Sequence, residues 1–193
     1  MMVLNDCADP ERVGCGFSTF KEVDEVIALI GELRRPDLLT SLVERNRDRF
    51  NFILSQYQDQ HQLLDPYLEK ILESLLSIIK DDDCPENVKH NTFKYLFIIM
   101  SVKTYKRIVT YLPHEVVDLL PVLRMLEKQD SNDVETWETR YVLLVWLSII
   151  SKIPFPLSRL ETSENVDPEQ TIIVRYLLML LIKGKLEQSF IER

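Results

Sequence analysis

The chain has 193 residues, 46% hydrophobic and 28% charged, which is enough for a sizeable core and too apolar for wholesale disorder. A formal charge of -8 argues against nucleic acid as the main partner, because binding phosphates wants a basic face. Four glycines leave little material for hairpin turns or phosphate loops, and the three cysteines, Cys7, Cys15 and Cys84, share no metal-ligand spacing and suit reduced thiols.

The first residues carry Asp6, Asp9 and Glu11 where a signal peptide would place a basic region and an apolar stretch. Residues 1–17 therefore read as a flexible N-terminal segment of a soluble, intracellular chain. Helical periodicity takes over from there. Val23, Val26, Ile27, Ile30 and Leu33 follow a 3.6-residue spacing, with Ser18 or Thr19 as the expected cap. Pro36 breaks this helix and can open the next, which passes through Leu39, Val43, Phe50 and Ile53 to about Tyr57. The stretch 34–49 holds five arginines against three acids, either a solvated helix face or a patch that steers an acidic partner.

Asp65 followed by Pro66 is the pattern of a cap and first turn, and Leu68, Ile71, Leu72, Leu75, Leu76 and Ile79 mark the inward face of the helix that follows. Pro85 starts another helix through Val88, Phe93, Leu96, Phe97 and Met100, and a short helix is expected over 103–112. Pro113 is expected to open a helix kinked at Pro121, where a proline removes a backbone hydrogen bond. Asn132 or Asp133 then caps a helix whose segment 141–150 is polar only at Ser148, and Pro154 and Pro156 end it. A bilayer span needs about 20 apolar residues, so this run reads as a core helix covered on all sides. Asp167-Pro168 repeats the cap-and-proline device for a last helix, and 161–193 is read as a loop and C-terminal helix.

No stretch alternates as a strand should, and the expected class is all-α. Segments 71–100 and 119–150 both read as an amphipathic helix, an acidic turn and a more apolar helix. Placing Asp81 on Asp130 puts Leu96 on Val145 and Phe97 on Trp146. That separation is close to the roughly 40 to 47 residues of HEAT and armadillo units. Residues 18–160 are thus expected to form a HEAT/armadillo-like α-solenoid of about three helix pairs.

Catalytic signatures are missing from the sequence. His61, His90 and His114 sit near different helix ends with no metalloprotease spacing, and no nucleophile elbow, P-loop or dinucleotide fingerprint is present. The Asp81-Asp82-Asp83-Cys84 run lacks the glycine and later carboxylate of a calcium loop, and reads as an acidic turn before a helix N-terminus. No enzyme, cofactor or metal is expected.

Five blocks are more discriminating than the periodicity: QDQHQLLDPYLEKIL (58–72), FKYLFII (93–99), YLPHEVVDLLPVL (111–123), WETRYVLLVWLS (137–148) and IPFPLSRL (153–160). Their order and spacing resemble the N-terminal region of the tubulin-folding cofactor D family, over roughly residues 50–160. The resemblance implies a cytoplasmic chaperone, associated with microtubules or the centrosome. Its implied partners are β-tubulin, tubulin-folding cofactors E and C, and an ADP-ribosylation-factor-like small GTPase. Because the family's members are far longer helical-repeat proteins, it further implies an N-terminal fragment, a truncated gene model or a short isoform. The alternative is a general HEAT-repeat scaffold or adaptor. Lys94, Lys106, His114, Glu138, Arg140 and Arg159 are the polar residues of these blocks or their edges expected to bind partners. Arg140 is also expected to pair with a carboxylate or carbonyl of an adjacent helix. The apolar residues at 172–181 are expected to form an interface or a site of self-association.

Overall fold

In the computed structural model the described residues are 12–13, 16–17, 19–35, 39–103, 105–130 and 133–150. Arg159 and the expected C-terminal helix, with the apolar residues at 172–181, lie outside them. Among the described residues seven α-helices dominate, preceded by a two-residue antiparallel pair, β1 (Arg12–Val13) and β2 (Gly16–Phe17), which no alternation in the sequence announces. The class is all-α, and three successive helix pairs are present among the described residues. The chain divides into two compact units, 1–111 and 112–193.

In the first unit, α1 (Val23–Glu32) packs against α2 (Thr40–Ser55) and α3 (Asp65–Ile79), while α4 (Glu86–Lys103) packs against both α2 and α3. The inward face expected for α3 is the observed one. Leu68, Ile71, Leu72, Leu75, Leu76 and Ile79 are all buried, joined by Ile78. In α4, Val88, Phe93, Leu96 and Met100 are buried as expected, whereas Phe97 is only half-buried. Burying an aliphatic or aromatic side chain of this size contributes roughly 1.5–3 kcal/mol, so the α3–α4 contact supplies a large share of the unit's apolar stabilisation. Phe50 of α2 and Tyr95 of α4 join the layers, with ring centroids 4.3 Å apart.

Two helix starts differ from expectation. α1 begins at Val23 with no side-chain cap, not at Thr19. Phe20 is instead buried against Tyr57, with ring centroids 4.9 Å apart at 83°. Glu22, the residue at the cap position, turns its carboxylate to the Tyr57 hydroxyl. Asp65 is the first residue of α3, after a 3-10 turn at His61–Leu64, and makes no capping bond because its carboxylate is held by cations. Pro85 behaves as read: its carbonyl accepts from the Val88 and Lys89 amides at 3.0 and 3.1 Å. The acidic run folds as a turn in which Asp81 Oδ1 accepts the Asp83 amide at 3.1 Å. The short helix expected over 103–112 is reduced to α5 (Tyr105–Ile108), because α4 itself extends to Lys103.

The second unit contains α6 (Leu119–Glu127) and α7 (Trp137–Ile150), which pack together. Pro113 does not open α6; a 3-10 turn at Val116–Asp118 leads into Leu119. Pro121 therefore falls in the first turn, where the amides have no intrahelical acceptor, and it need not kink the helix. Asp133 organises the approach to α7 from outside the helix: it accepts the Glu135 amide at 2.8 Å and the Thr136 hydroxyl at 2.9 Å.

Helix α7 is less enclosed than its apolar run suggests. Val142, Leu143, Trp146, Leu147, Ile149 and Ile150 are buried, but Trp137, Tyr141 and Leu144 form a stripe 41–48% exposed. The nine-residue α6 covers only one side of it. Burial also corrects the repeat register by one residue. Thr92, Phe93, Leu96, Ile99 and Met100 of α4 correspond in burial to Val142, Leu143, Trp146, Ile149 and Ile150 of α7. Leu96 thus matches Trp146, not Val145, since core position rather than loop alignment defines equivalence.

Tyr57 and Tyr95 are both buried, yet only Tyr57 has a hydroxyl partner among protein groups in the described structure. Burial and the Glu22 bond push the Tyr57 phenol up to about 12 from 10.0. Its contribution to stability is intact below pH 10 and fades as pH rises through about 12. Burial likewise raises the Tyr95 phenol. Tyr57→Phe should cost about 1.5–3 kcal/mol in urea unfolding at neutral pH, whereas Tyr95→Phe should stay within about 1 kcal/mol of wild type or gain. Equal losses at the two positions would contradict this assignment.

Candidate partner-binding site

Of the proposed partner-binding residues, Lys94 and Lys106 lie in the first unit and His114, Glu138 and Arg140 in the second, and most of these five line neither cavity described below. Lys94 is half-exposed on α4, on the less buried face that also carries Phe97 and Ser101. His114 is exposed, with its Nδ1 2.9 Å from the Leu112 carbonyl. Its neighbour Pro113 uses its carbonyl to accept the Trp146 indole N–H. Glu138 lies in the first turn of α7, where one carboxylate oxygen, Oε2, is buried without a hydrogen-bond partner. Arg140 donates to the Asp130 carbonyl and, at 3.5 Å, to Thr136 Oγ1. A carbonyl partner was expected, but on an adjacent helix; Asp130 lies in the connection between α6 and α7, so Arg140 braces its own helix pair.

Lys106 is the exception. It lines a cavity of about 520 Å³ together with His61, Asp65, Lys103 and Arg107. The cavity arises where the 3-10 turn leads into α3 and where α4 gives way to α5. Lys103, the last residue of α4, is 2% exposed, and an ammonium at that depth needs partners. It donates to the His61 carbonyl at 2.8 Å and forms an ion pair with Asp65 Oδ1, off the axis of a well-directed hydrogen bond. Arg107 Nη2 stands 3.9 Å from the other oxygen, Oδ2. The Nδ1 of His61 is buried and lacks a hydrogen-bond partner.

These contacts give the cavity a fixed frame and a charged rim. Asp65 and Lys103 compensate each other, while Lys106 and Arg107 are exposed. A pocket for a small organic ligand is lined mainly by hydrophobic and aromatic side chains, whereas all five residues that line this one are titratable. It is suited to a charged group brought by a partner. The second concavity, beside Tyr95 and bounded by Asn46, Asn87 and Asn91, measures about 30 Å³, room for a water or two. Among the described residues no group of three His, Cys, Asp or Glu could hold a metal. Cys84 is a half-buried thiol whose pKa is raised by that burial.

The arginine-rich stretch has a different fate. Arg34 faces Asp81 at 3.8 Å, Arg35 faces Glu32 at 3.1 Å, Arg47 faces Asp48 at 3.2 Å and Arg49 faces Glu25 at 2.6 Å. The Arg49 bond holds the Glu25 carboxyl below its usual range. Four of the five arginines thus serve internal pairs, which favours the solvated-face reading. Lys106 is among the polar residues expected from the resemblance to bind partners, whereas its companions Lys103, Arg107, Asp65 and His61 are not. Asp65 and Lys103 are far apart in the chain, and no local pattern joins them.

The frame can be tested by a double-mutant cycle. Asp65→Asn removes the counter-charge of the buried Lys103 ammonium, leaving it only neutral oxygens, and should cost about 2–4 kcal/mol. Lys103→Met added to it should recover part of that loss, with a coupling above about 1.5 kcal/mol in urea unfolding. A coupling under about 0.5 kcal/mol would show that the pair does not hold the frame.

Comparison with known proteins places these elements in a family. The family model described as "Tubulin-specific chaperone D-like, ARM repeat" matches residues 54–189. Tubulin-specific chaperone D of Dictyostelium discoideum is 22% identical over 67% of this chain and 15% of its own length. Tubulin-folding cofactor D of Schizosaccharomyces pombe is 29% identical over 70% of this chain and 12% of its own length. The chain therefore spans only a small part of these relatives, and no solved structure matches it. The matched region includes the cavity and the helix pairs α3–α4 and α6–α7, and its armadillo description agrees with the observed all-α, paired-helix architecture. The chain belongs to the tubulin-specific chaperone D-like family, within its armadillo-repeat part.

Proposed function

We propose that this chain is a portion of a tubulin-folding chaperone. It supplies binding surface for β-tubulin during assembly and dismantling of the αβ-tubulin heterodimer, in the cytoplasm and in association with microtubules or the centrosome. The observation that carries the reading is the family match across residues 54–189, supported by relatives whose names refer to tubulin folding. Tubulin-folding cofactors E and C and an ADP-ribosylation-factor-like GTPase are its proposed co-partners, and it has no catalytic chemistry of its own. A chain of net charge -8 is not steered to an acidic client by its overall field. Shape, apolar area and local basic sites carry the contact instead. Lys94, His114, Glu138, Arg140 and Arg159 remain proposed contact residues beside Lys106.

The mechanism exchanges one interface for another: helical-repeat surface covers part of the client that would otherwise face the second tubulin subunit. A module spanning 12–15% of its relatives' length holds too few simultaneous grips to complete that exchange. Pull-down of purified tubulin by the 193-residue chain should therefore show weak, saturable binding, without GTP hydrolysis and without heterodimer dissociation. Absence of any tubulin binding, or dissociation by this chain alone, would overturn the reading.

A further inference from the structure

We infer that the cavity bounded by His61, Asp65, Lys103, Lys106 and Arg107 is a carboxylate-binding site that seats an acidic segment of a protein partner. Three cations and one carboxylate line it, in a chain whose net charge is -8. Lys103 is committed to Asp65 and to the His61 carbonyl, so the pair forms a fixed inner wall. Lys106 and Arg107 follow each other on α5, and both line the opening while remaining exposed. Neighbouring helical residues point about 100° apart, so the two cations approach the cavity from different directions. A carboxylate between them meets an ammonium from one side and the flat guanidinium fork from the other, the arrangement in which Arg binds carboxylate with two parallel bonds.

Size and sign select the ligand class. About 520 Å³ admits more than one acidic side chain and the main chain joining them. With Asp65 and Lys103 compensating each other, one exposed ammonium and one exposed guanidinium remain, a charge that one or two carboxylates match. A nucleic acid meets an obstacle in the surrounding acidic surface, which a short peptide largely avoids. The arginine-rich stretch 34–49 is a poorer candidate for the same ligand, because Arg35, Arg47 and Arg49 face carboxylates of this chain at 2.6–3.2 Å, whereas Arg107 stands 3.9 Å from an Asp65 carboxylate that it shares with Lys103. The inference stands on the cavity and does not depend on which protein supplies the acidic segment.

The test uses the full 193-residue chain and fluorescein-labelled hexaglutamate, read by fluorescence anisotropy at low ionic strength, with hexaglutamine as the uncharged control. Hexaglutamate should bind and hexaglutamine should not. The double variant Lys106→Gln/Arg107→Gln should weaken binding at least about tenfold, since it removes two charge-assisted contacts. Both residues are solvent-exposed on a short helix, so this variant should keep the wild-type circular dichroism and melting curve. Arg45→Gln, in the arginine-rich stretch, should leave the affinity unchanged. The proposal is overturned by any of four results: no hexaglutamate binding by wild type, equal binding by the double variant, loss of binding in Arg45→Gln, or displacement by sub-millimolar inorganic phosphate. The last would mark a general anion site. Because no tubulin is present in this assay, its outcome is separate from that of the tubulin pull-down.

Discussion

The buried ammonium of Lys103 is the constraint around which the first unit is arranged. A lysine 2% exposed at the end of α4 is tolerable only if its charge is met. The Asp65 carboxylate and the His61 carbonyl meet it from the turn that starts α3. At about 4 Å and an effective dielectric constant of about 20, such a pair is worth roughly 4 kcal/mol of attraction, set against a desolvation cost of several kcal/mol per ion. The net gain in stability is small, but the geometry is specific: no sliding of α3 along α4 keeps all three groups together. The apolar side chains between the helices supply the bulk of the energy and are indifferent to register. The ion pair selects one.

That same clamp links fold to candidate function. It ends α4 where α5 follows, and α5 carries Lys106 and Arg107 to the cavity. The other ion pairs of the unit lie at the surface between partly exposed groups, where each contributes little to stability. Their effect is on the charge pattern: they neutralise the arginine-rich stretch and leave the cavity as a basic feature on an acidic chain. On the proposed reading as part of a tubulin-folding chaperone, such a local exception gives selectivity for acidic clients, because contact forms only where the partner presents carboxylates at the right place.

What could be read in the sequence followed the strength of local signals. The inward face of α3 was legible because an amphipathic helix declares its buried side every three to four residues, and the resemblance blocks placed the family before any geometry. Helix starts were less legible. Thr19 looks like a cap, but burying Phe20 against Tyr57 gains more than one capping bond, so α1 begins later. Asp65 looks like a cap for the same reason, and its carboxylate is claimed by a lysine that no local rule connects to it. Pro121 reads as a kink only if the helix starts at Pro113. Starting at Leu119 makes the same residue harmless. Helix α7 reads as covered on every side because hydropathy reports what a side chain tolerates, not what its neighbours are long enough to reach. The cavity was legible only through Lys106, since its other walls come from separate helices and turns.

Native-state hydrogen exchange of the amides in α3 and α4 is the most direct measure of whether the clamp makes these helices one unit. The expected result is that the buried turns of Asp65–Ile79 and Glu86–Lys103 open with the same free energy, and that Asp65→Asn lowers both by the same amount. If α4 keeps its protection while α3 alone loses it, the two helices are held by independent contacts and the Asp65–Lys103 pair is not the constraint described above.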